Sequence, residues 1–223
     1  MDKIIDTNMV KVVGKVAGGL EFNHDMYGEK FYTFDLEVPR LSNSVDILPV
    51  SISERLLINL DLPLGQYVII EGQLRSYNRY VDMSNRLILT IFTREISISN
   101  EEELNESLRR PNEIYLDGYI CKEPIYRTTP FGREITDILL AVNRPYNKSD
   151  YIPCIAWGRN ARFCENLNIG DHIKVWGRVQ SREYQKKLNS GEIEAKVAYE
   201  VSISKLEFLE NENNRMEVYK LEG

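Results

Sequence analysis

The sequence predicts an all-β chain of two tandem small barrels, each a five-stranded Greek key with a short helix between its third and fourth strands. Three observations carry this expectation. Stretches of the first half return in the second at a nearly constant offset, apolar residues alternate with period two over strand-length segments, and one short amphipathic stretch interrupts the strands at the same place in each copy.

The duplication is read residue against residue. V-V-G-K-V around Gly14 is answered by L-D-G-Y-I around Gly118, 104 positions later, and Phe34 to Arg40 aligns with Ile138 to Arg144 at the same offset. Ile47-Leu48-Pro49-Val50 likewise meets Tyr151-Ile152-Pro153-Cys154. After a slip of one residue, L-G-Q-Y-V-I-I-E-G-Q-L (64–74) meets I-G-D-H-I-K-V-W-G-R-V (169–179).

Each copy then supplies its elements in one order. The first strand carries a central glycine (9–16; 113–121), and a loop leads to the second (31–38; 134–143). The third strand (45–52; 150–157) runs into the amphipathic helix (54–60; 160–167). A Gly-Gln or Gly-Asp turn opens the fourth strand (66–76; 171–183), and an alternating segment closes the unit (86–98; 193–208), where Leu87, Leu89 and Ile91, then Val197, Tyr199, Val201 and Ile203, share a parity. This is the order of an OB-fold, whose sharply coiled strands need positions without a Cβ, as the strand glycines provide. The expected organisation is a first OB-fold over 1–99, an acidic linker over 100–111, a second OB-fold over 112–208 and a polar tail over 209–223.

Composition sets bounds on function. With 43% hydrophobic and 28% charged residues in 223, the chain is an ordinary folded protein with room for two cores. No apolar run approaches the roughly 18 residues of a membrane span, and the start lacks a basic region followed by an apolar one. A cytoplasmic, nucleoid-associated protein without a membrane partner is expected. Cys121, Cys154 and Cys164 form no C-x-x-C pair and read as reduced thiols in apolar patterns. No metal site or cofactor is implied. The net charge of −6 excludes coating of duplex DNA by bulk charge, but it is unevenly spread: −3 over 1–100, −2 over 101–111, +1 over 112–208 and −2 over 209–223. A polyanion site is therefore expected in the second half.

One stretch shows where. In K-V-W-G-R-V-Q-S-R-E-Y (174–184), Val175, Gly177 and Val179 share one parity, and Lys174, Trp176, Arg178, Gln180, Arg182 and Tyr184 the other. Successive strand side chains point to opposite faces, so one face is small and apolar and the other cationic and aromatic. The third strand adds Tyr151, Pro153, Ile155 and Trp157 opposite a core parity of Ile152, Cys154 and Ala156. Unstacked bases lie on Trp or Tyr for roughly 1–3 kcal/mol each while Lys and Arg neutralise the phosphates between them. A lone strand Trp is more often a core residue. Interleaving with Arg and Lys argues otherwise, because charged neighbours of the same parity are rarely buried.

The second half, over about 112–208, resembles the bacterial single-stranded DNA-binding protein family. The resemblance rests on I-Y-L-D-G-Y-I-C-K-E-P (114–124), T-D-I-L-L-A-V-N-R (136–144), Y-I-P-C-I-A-W-G-R-N-A (151–161) and I-G-D-H-I-K-V-W-G-R-V-Q-S-R-E-Y (169–184). It implies base stacking at Tyr151, Trp157 and Tyr184, a further aromatic at Tyr146 in the loop after the second strand, and basic groups at Arg178 and Arg182. Lys174 and Trp176 are placed by the parity argument. The first copy departs at the site: Ile47 stands for Tyr151, Ser53 for Trp157 and Glu71 for Trp176, while Arg75, Tyr77 and Arg79 keep a weaker version of the fourth strand. The ending N-R-M-E-V-Y-K-L-E-G lacks the acidic, apolar-tipped terminus by which such proteins commonly recruit replication and repair partners.

The resemblance implies a protein that binds single-stranded DNA without strong sequence preference in replication, recombination or repair. It also implies a homodimer presenting four OB-folds. Single-stranded RNA is a chemically close ligand. An alternative is a primosomal-type restart adaptor, like the related primosomal replication protein B, or an OB-fold interaction module. Catalysis is not indicated: His24 and His172 have no motif-spaced partner, no nucleotide-binding or nucleophile motif occurs, and Gly18-Gly19 reads as a turn.

Overall fold

A computed structural model describes residues 7–42, 44–81, 84–98, 101–187 and 193–209. The tail expected from 209 onward falls, beyond Leu209, outside the described residues. The first half contains β1 (Asn8–Val16), β2 (Glu21–Met26), β3 (Glu29–Pro39), β4 (Val45–Ser53), a 3-10 turn (Glu54–Leu57), β5 (Tyr67–Val81) and β6 (Ser84–Ser97). Helix α1 (Glu101–Ser107) connects it to β7 (Asn112–Ile120), β8 (Ile125–Thr128), β9 (Glu134–Arg144), β10 (Lys148–Trp157), α2 (Arg159–Cys164), β11 (His172–Lys187) and β12 (Ile193–Leu209).

Each half closes into a five-stranded ring, so the chain is a pair of tandem OB-folds. In the first, β1 pairs with both β3 and β5, β5 with β6, and β3 with β4, and the parallel contact of β4 with β6 completes the circle. The second repeats this with β7, β9, β10, β12 and β11. Inward parity fills the barrels: Val12, Leu36, Leu48, Ile70 and Ile91 are fully buried in one, and Leu116, Leu140, Ile152, Ile173 and Val201 in the other. The strand glycines sit where a Cβ has no room. At Gly118 it would strike the Ala141 carbonyl, and at Gly177, opposite the bulge at Ser204 of β12, the Ser202 carbonyl; Gly14 and Gly72 repeat this in the first barrel.

Two features differ from the sequence expectation. Strands β2 and β8 are additional arms hairpinned onto β3 and β9. Residues of β2 are all exposed, so no burial alternation marks it. The two helices are shorter than expected, ending at Leu57 and Cys164. In the first copy Asn59 turns the chain with φ 63°, a left-handed conformation that asparagine tolerates and that stops a helix.

The barrels are joined edge to edge. β1 and β7 run antiparallel in a register that sets Val10 opposite Ile114. These two residues are copies of one another, 104 positions apart, so a local twofold axis passes between them. Strands β6, β5, β1, β7, β11 and β12 thereby form one continuous face across both barrels. A doubled polar clasp locks the junction. The buried carboxylate of Asp46 receives the Ser181 peptide N–H at 2.7 Å and the Arg40 guanidinium at 2.6 Å, while Asp150 receives the Ser76 peptide N–H at 2.7 Å and Arg75 at 3.0 Å. Each aspartate thus reaches from the third barrel strand of one half to the fourth of the other.

Candidate nucleic-acid interface

Strands β10, β12 and β11 lie side by side and present the expected residues on their outer surface. Cα pairing sets Ile155 opposite Ser202 and Ser202 opposite Arg178, so these three positions form one row. Trp157, two residues along β10, donates its Nε1–H to Ser202 Oγ at 3.2 Å. This fixes the edge of the indole while 37% of the residue remains exposed, which leaves a ring face for a planar partner. Tyr151 at the other end of β10 is 46% exposed, and its peptide N–H is held by Ser76 Oγ at 2.7 Å, so the first barrel helps to orient it.

The cations of β11 are arranged by a buried pair. Gln180 donates to Glu200 at 2.8 Å, both covered, and Arg178 donates to the Gln180 side-chain Oε1 at 3.1 Å. Arg182 stands 3.4 Å from Glu200 and 5.9 Å over the ring of Tyr184, itself 37% exposed. Burial and the nearby Arg40 hold the Arg178 guanidinium below its usual pKa, opposed by Asp46. Tyr146 sits at the β9–β10 turn with φ 64° and is 94% exposed, clear of the sheet.

Two expectations about parity change. Gln180, expected on the outward face, is buried, as is Ile155 on β10; the register of β11 on β12 sets Glu200 directly beside the glutamine, and the two side chains close over one another. The two tryptophans do not share a surface. Trp176 packs against Tyr115 with ring centroids 5.2 Å apart and beneath Lys205 Nζ at 4.4 Å, and lines a groove at the barrel junction with Met9 and Glu71. The bulged residue Ser204 of β12 lies between Lys205, the partner of Trp176, and the Ser202 row of Trp157. Lys174 faces Asp117 and Glu207 in register.

In the first barrel, Arg75 is drawn into the clasp, ion-paired to buried Asp150 with only 20% of its side chain exposed. Its guanidinium is engaged at the junction, whereas Tyr77 and Arg79 are exposed to solvent. Sequence reasoning missed Ser202, Tyr115 and Lys205, whose placement depends on cross-strand register. Tyr115 alone carried a legible signal, an outward parity within the first strand of its copy. Among the described residues no group of three His, Cys, Asp or Glu side chains is placed to hold a metal ion. Cys154 and Cys164 are buried free thiols, and burial raises both, Cys164 to about 12.

Residues 111–209, which span the second barrel, match the model of the Single-strand binding protein family. A curated relative, Single-stranded DNA-binding protein 2 of Listeria monocytogenes, is 34% identical over 113 residues, covering 48% of this chain and 68% of its own length. The chain spans between 48% and 68% of the length of the curated relatives it matches. Over nearly the whole chain, the wild-type single-stranded DNA binding protein from Thermus aquaticus superposes with a TM-score of 0.67 at 18% identity, covering 92% of this chain and 93% of that one, a likeness of fold. A dimeric structure of the N-terminal domain of PriB protein from Thermoanaerobacter tencongensis is 54% identical over 43% of this chain and all of its own, with a TM-score of 0.39. With its second barrel matched by the family model and a relative covered over two thirds of its length, the chain belongs to the single-strand binding protein family.

Proposed function

We propose that the second barrel binds single-stranded DNA without reading its sequence, in replication, recombination or repair. Membership of the family makes the chain a binding protein, not a catalyst. The observation that carries the proposal is the Trp157 indole, tethered at its edge by Ser202 and open on its face, with β12 between it and Arg178. In this reading Tyr151, Trp157 and Tyr184 stack on bases, with Tyr146 as an outlying aromatic, while Arg178, Arg182 and Lys174 meet phosphates. Stacking needs only a π-face, which every base has, so no sequence preference is built in.

Titration with oligo(dT) at low salt tests this by quenching of Trp157 fluorescence. A flat signal, together with no retardation of the oligomer, would overturn it. Competition between DNA and RNA oligomers then decides the sugar preference.

One observation favours a second reading, contact with protein through the six-stranded face. Cross-strand register places Met9, Tyr115, Trp176 and Lys205 in one row, and Glu113, Lys11, Glu71 and Glu95 in the row related by the local twofold. Partly exposed aromatics beside a carboxylate row offer a surface for a second copy of the chain, giving a homodimer of four OB-folds, or for an adaptor's partner. A mass measurement of the free protein distinguishes these: a dimer supports the first, and a monomer leaves the surface for a partner.

A further inference from the structure

The residues joining the two barrels carry an unexpected basic pocket. Residues 100–111 are acidic as a segment, yet their last turn ends in Arg109-Arg110, immediately before Pro111. Backbone bonds fix this corner: Arg109 N–H to the Glu106 carbonyl, Arg110 N–H to the Ser107 carbonyl, and the Pro111 carbonyl to Val13 N–H at 2.8 Å. Asn112 exchanges two bonds with the Val179 backbone, pinning the next residue to β11. Both arginines therefore border a cleft of about 460 Å³ whose opposite walls are Arg40 of the first barrel and Arg178 and Ser202 of the second.

The charges in this cleft do not cancel. Arg40 is answered by Asp46, and Arg110 stands 3.5 Å from Glu113 with most of its side chain exposed. Among the described residues, neither Arg109 nor Arg178 has a carboxylate within ion-pair distance. Clustered guanidiniums repel one another unless an anion lies between them, and guanidinium forks match phosphate oxygens. Ser202 also lines the cleft and holds the Trp157 indole, so the cleft begins where the proposed stacking row ends.

We propose that this cleft holds backbone phosphates of a bound single strand, with Arg109, Arg110 and Arg178 as the contacting groups, and so carries the strand off the second barrel toward the β3–β4 loop of the first. The linker is then part of the binding surface. This rests on the single-strand-binding reading, and the test separates the two.

The experiment compares the full chain with an Arg109→Ala/Arg110→Ala variant and with Arg178→Gln. The salt dependence of oligo(dT) binding is read beside the side-chain Nε–H NMR signals of the arginines. Removing one arginine from a phosphate should lower the log–log salt slope by about 0.7, so the double variant should show a slope smaller by about 1 to 1.5, while a Trp157→Ala control weakens binding with its slope intact. The Arg109 and Arg178 signals should shift on adding oligo(dT). Oligomer binding with an unchanged slope in the variants and unmoved arginine signals would overturn the cleft and leave the stacking proposal standing. Shifts produced by tripolyphosphate but not by a bound oligomer would make the cleft a site for free anions and also overturn it. Failure of the wild-type chain to bind oligo(dT) at all would overturn both.

Discussion

The carboxylate of Asp46 and the peptide N–H of Ser181 meet at 2.7 Å across the junction of the two barrels, and Asp150 meets Ser76 at the same distance in the related position. The aspartates are copies 104 residues apart and the serines 105. The clasp was therefore duplicated with the barrels and closes only when both are folded.

Asp46→Ala strands Arg40 and an unpaired peptide N–H at a buried position. Removing one partner of such a pair typically costs about 3–5 kcal/mol, and the partial exposure of Arg40 argues for the lower end. Urea unfolding should show a loss of this size, with Asp150→Ala close to it. A loss well under about 1 kcal/mol for both would show that the clasp adds nothing to stability.

Single-strand binding should fall by the stacking energy when a ring is removed. Trp157→Ala and Tyr184→Ala should each cost about 1–3 kcal/mol of affinity, roughly 5- to 150-fold, in titrations with oligo(dT). Tyr77→Ala should cost less. If it costs more, the division of labour between the barrels is the reverse of the one proposed.

Arg75→Ala separates binding from architecture. Its guanidinium is committed to Asp150, so the variant should lose stability in urea while its salt slope for oligo(dT) stays at the wild-type value. A lowered slope with unchanged stability would place Arg75 at the DNA.

Gly177→Ala should destabilise by about 1–3 kcal/mol, because its methyl would enter the Ser202 carbonyl, whereas Gly19→Ala, with open space around it, should be nearly neutral. Thermal unfolding of the two variants side by side measures the difference.

The buried thiols set an alkaline limit. Cys164 is raised from 9.0 to about 12 by burial. A group raised in the folded state contributes stability that is complete below its unfolded value and lost as pH rises through the folded one. Stability should therefore decline between pH 9.0 and about 12, and a Cys164→Ala variant should show a shallower decline over that window. Alkylation at about pH 8 should leave Cys154 and Cys164 unmodified until the chain unfolds.

The fold was legible because repetition and alternation are properties of the chain itself. Two copies in one order, with Gly118 and Gly177 at crowded crossings, are enough to name the barrel, and the outward parity of Tyr151 and Trp157 follows from the pleat. Strands β2 and β8 were not legible, since an exposed hairpin arm buries nothing and leaves no pattern. The burial of Gln180 was hidden as well, because parity assigns a face and says nothing of which residue the neighbouring strand sets beside it.

What the sequence by itself determined is local: which residues are strand, which parity is apolar, and which copy keeps the aromatics. The tertiary structure decided what touches across strands and between barrels. It moved Trp176 onto Tyr115 and away from Trp157, committed Arg75 to Asp150, and brought Arg109 of an acidic linker into one cleft with Arg178. The physical reason is register: a bulge of one residue or an antiparallel pairing between distant strands resets every cross-strand neighbour without changing the alternation that sequence displays.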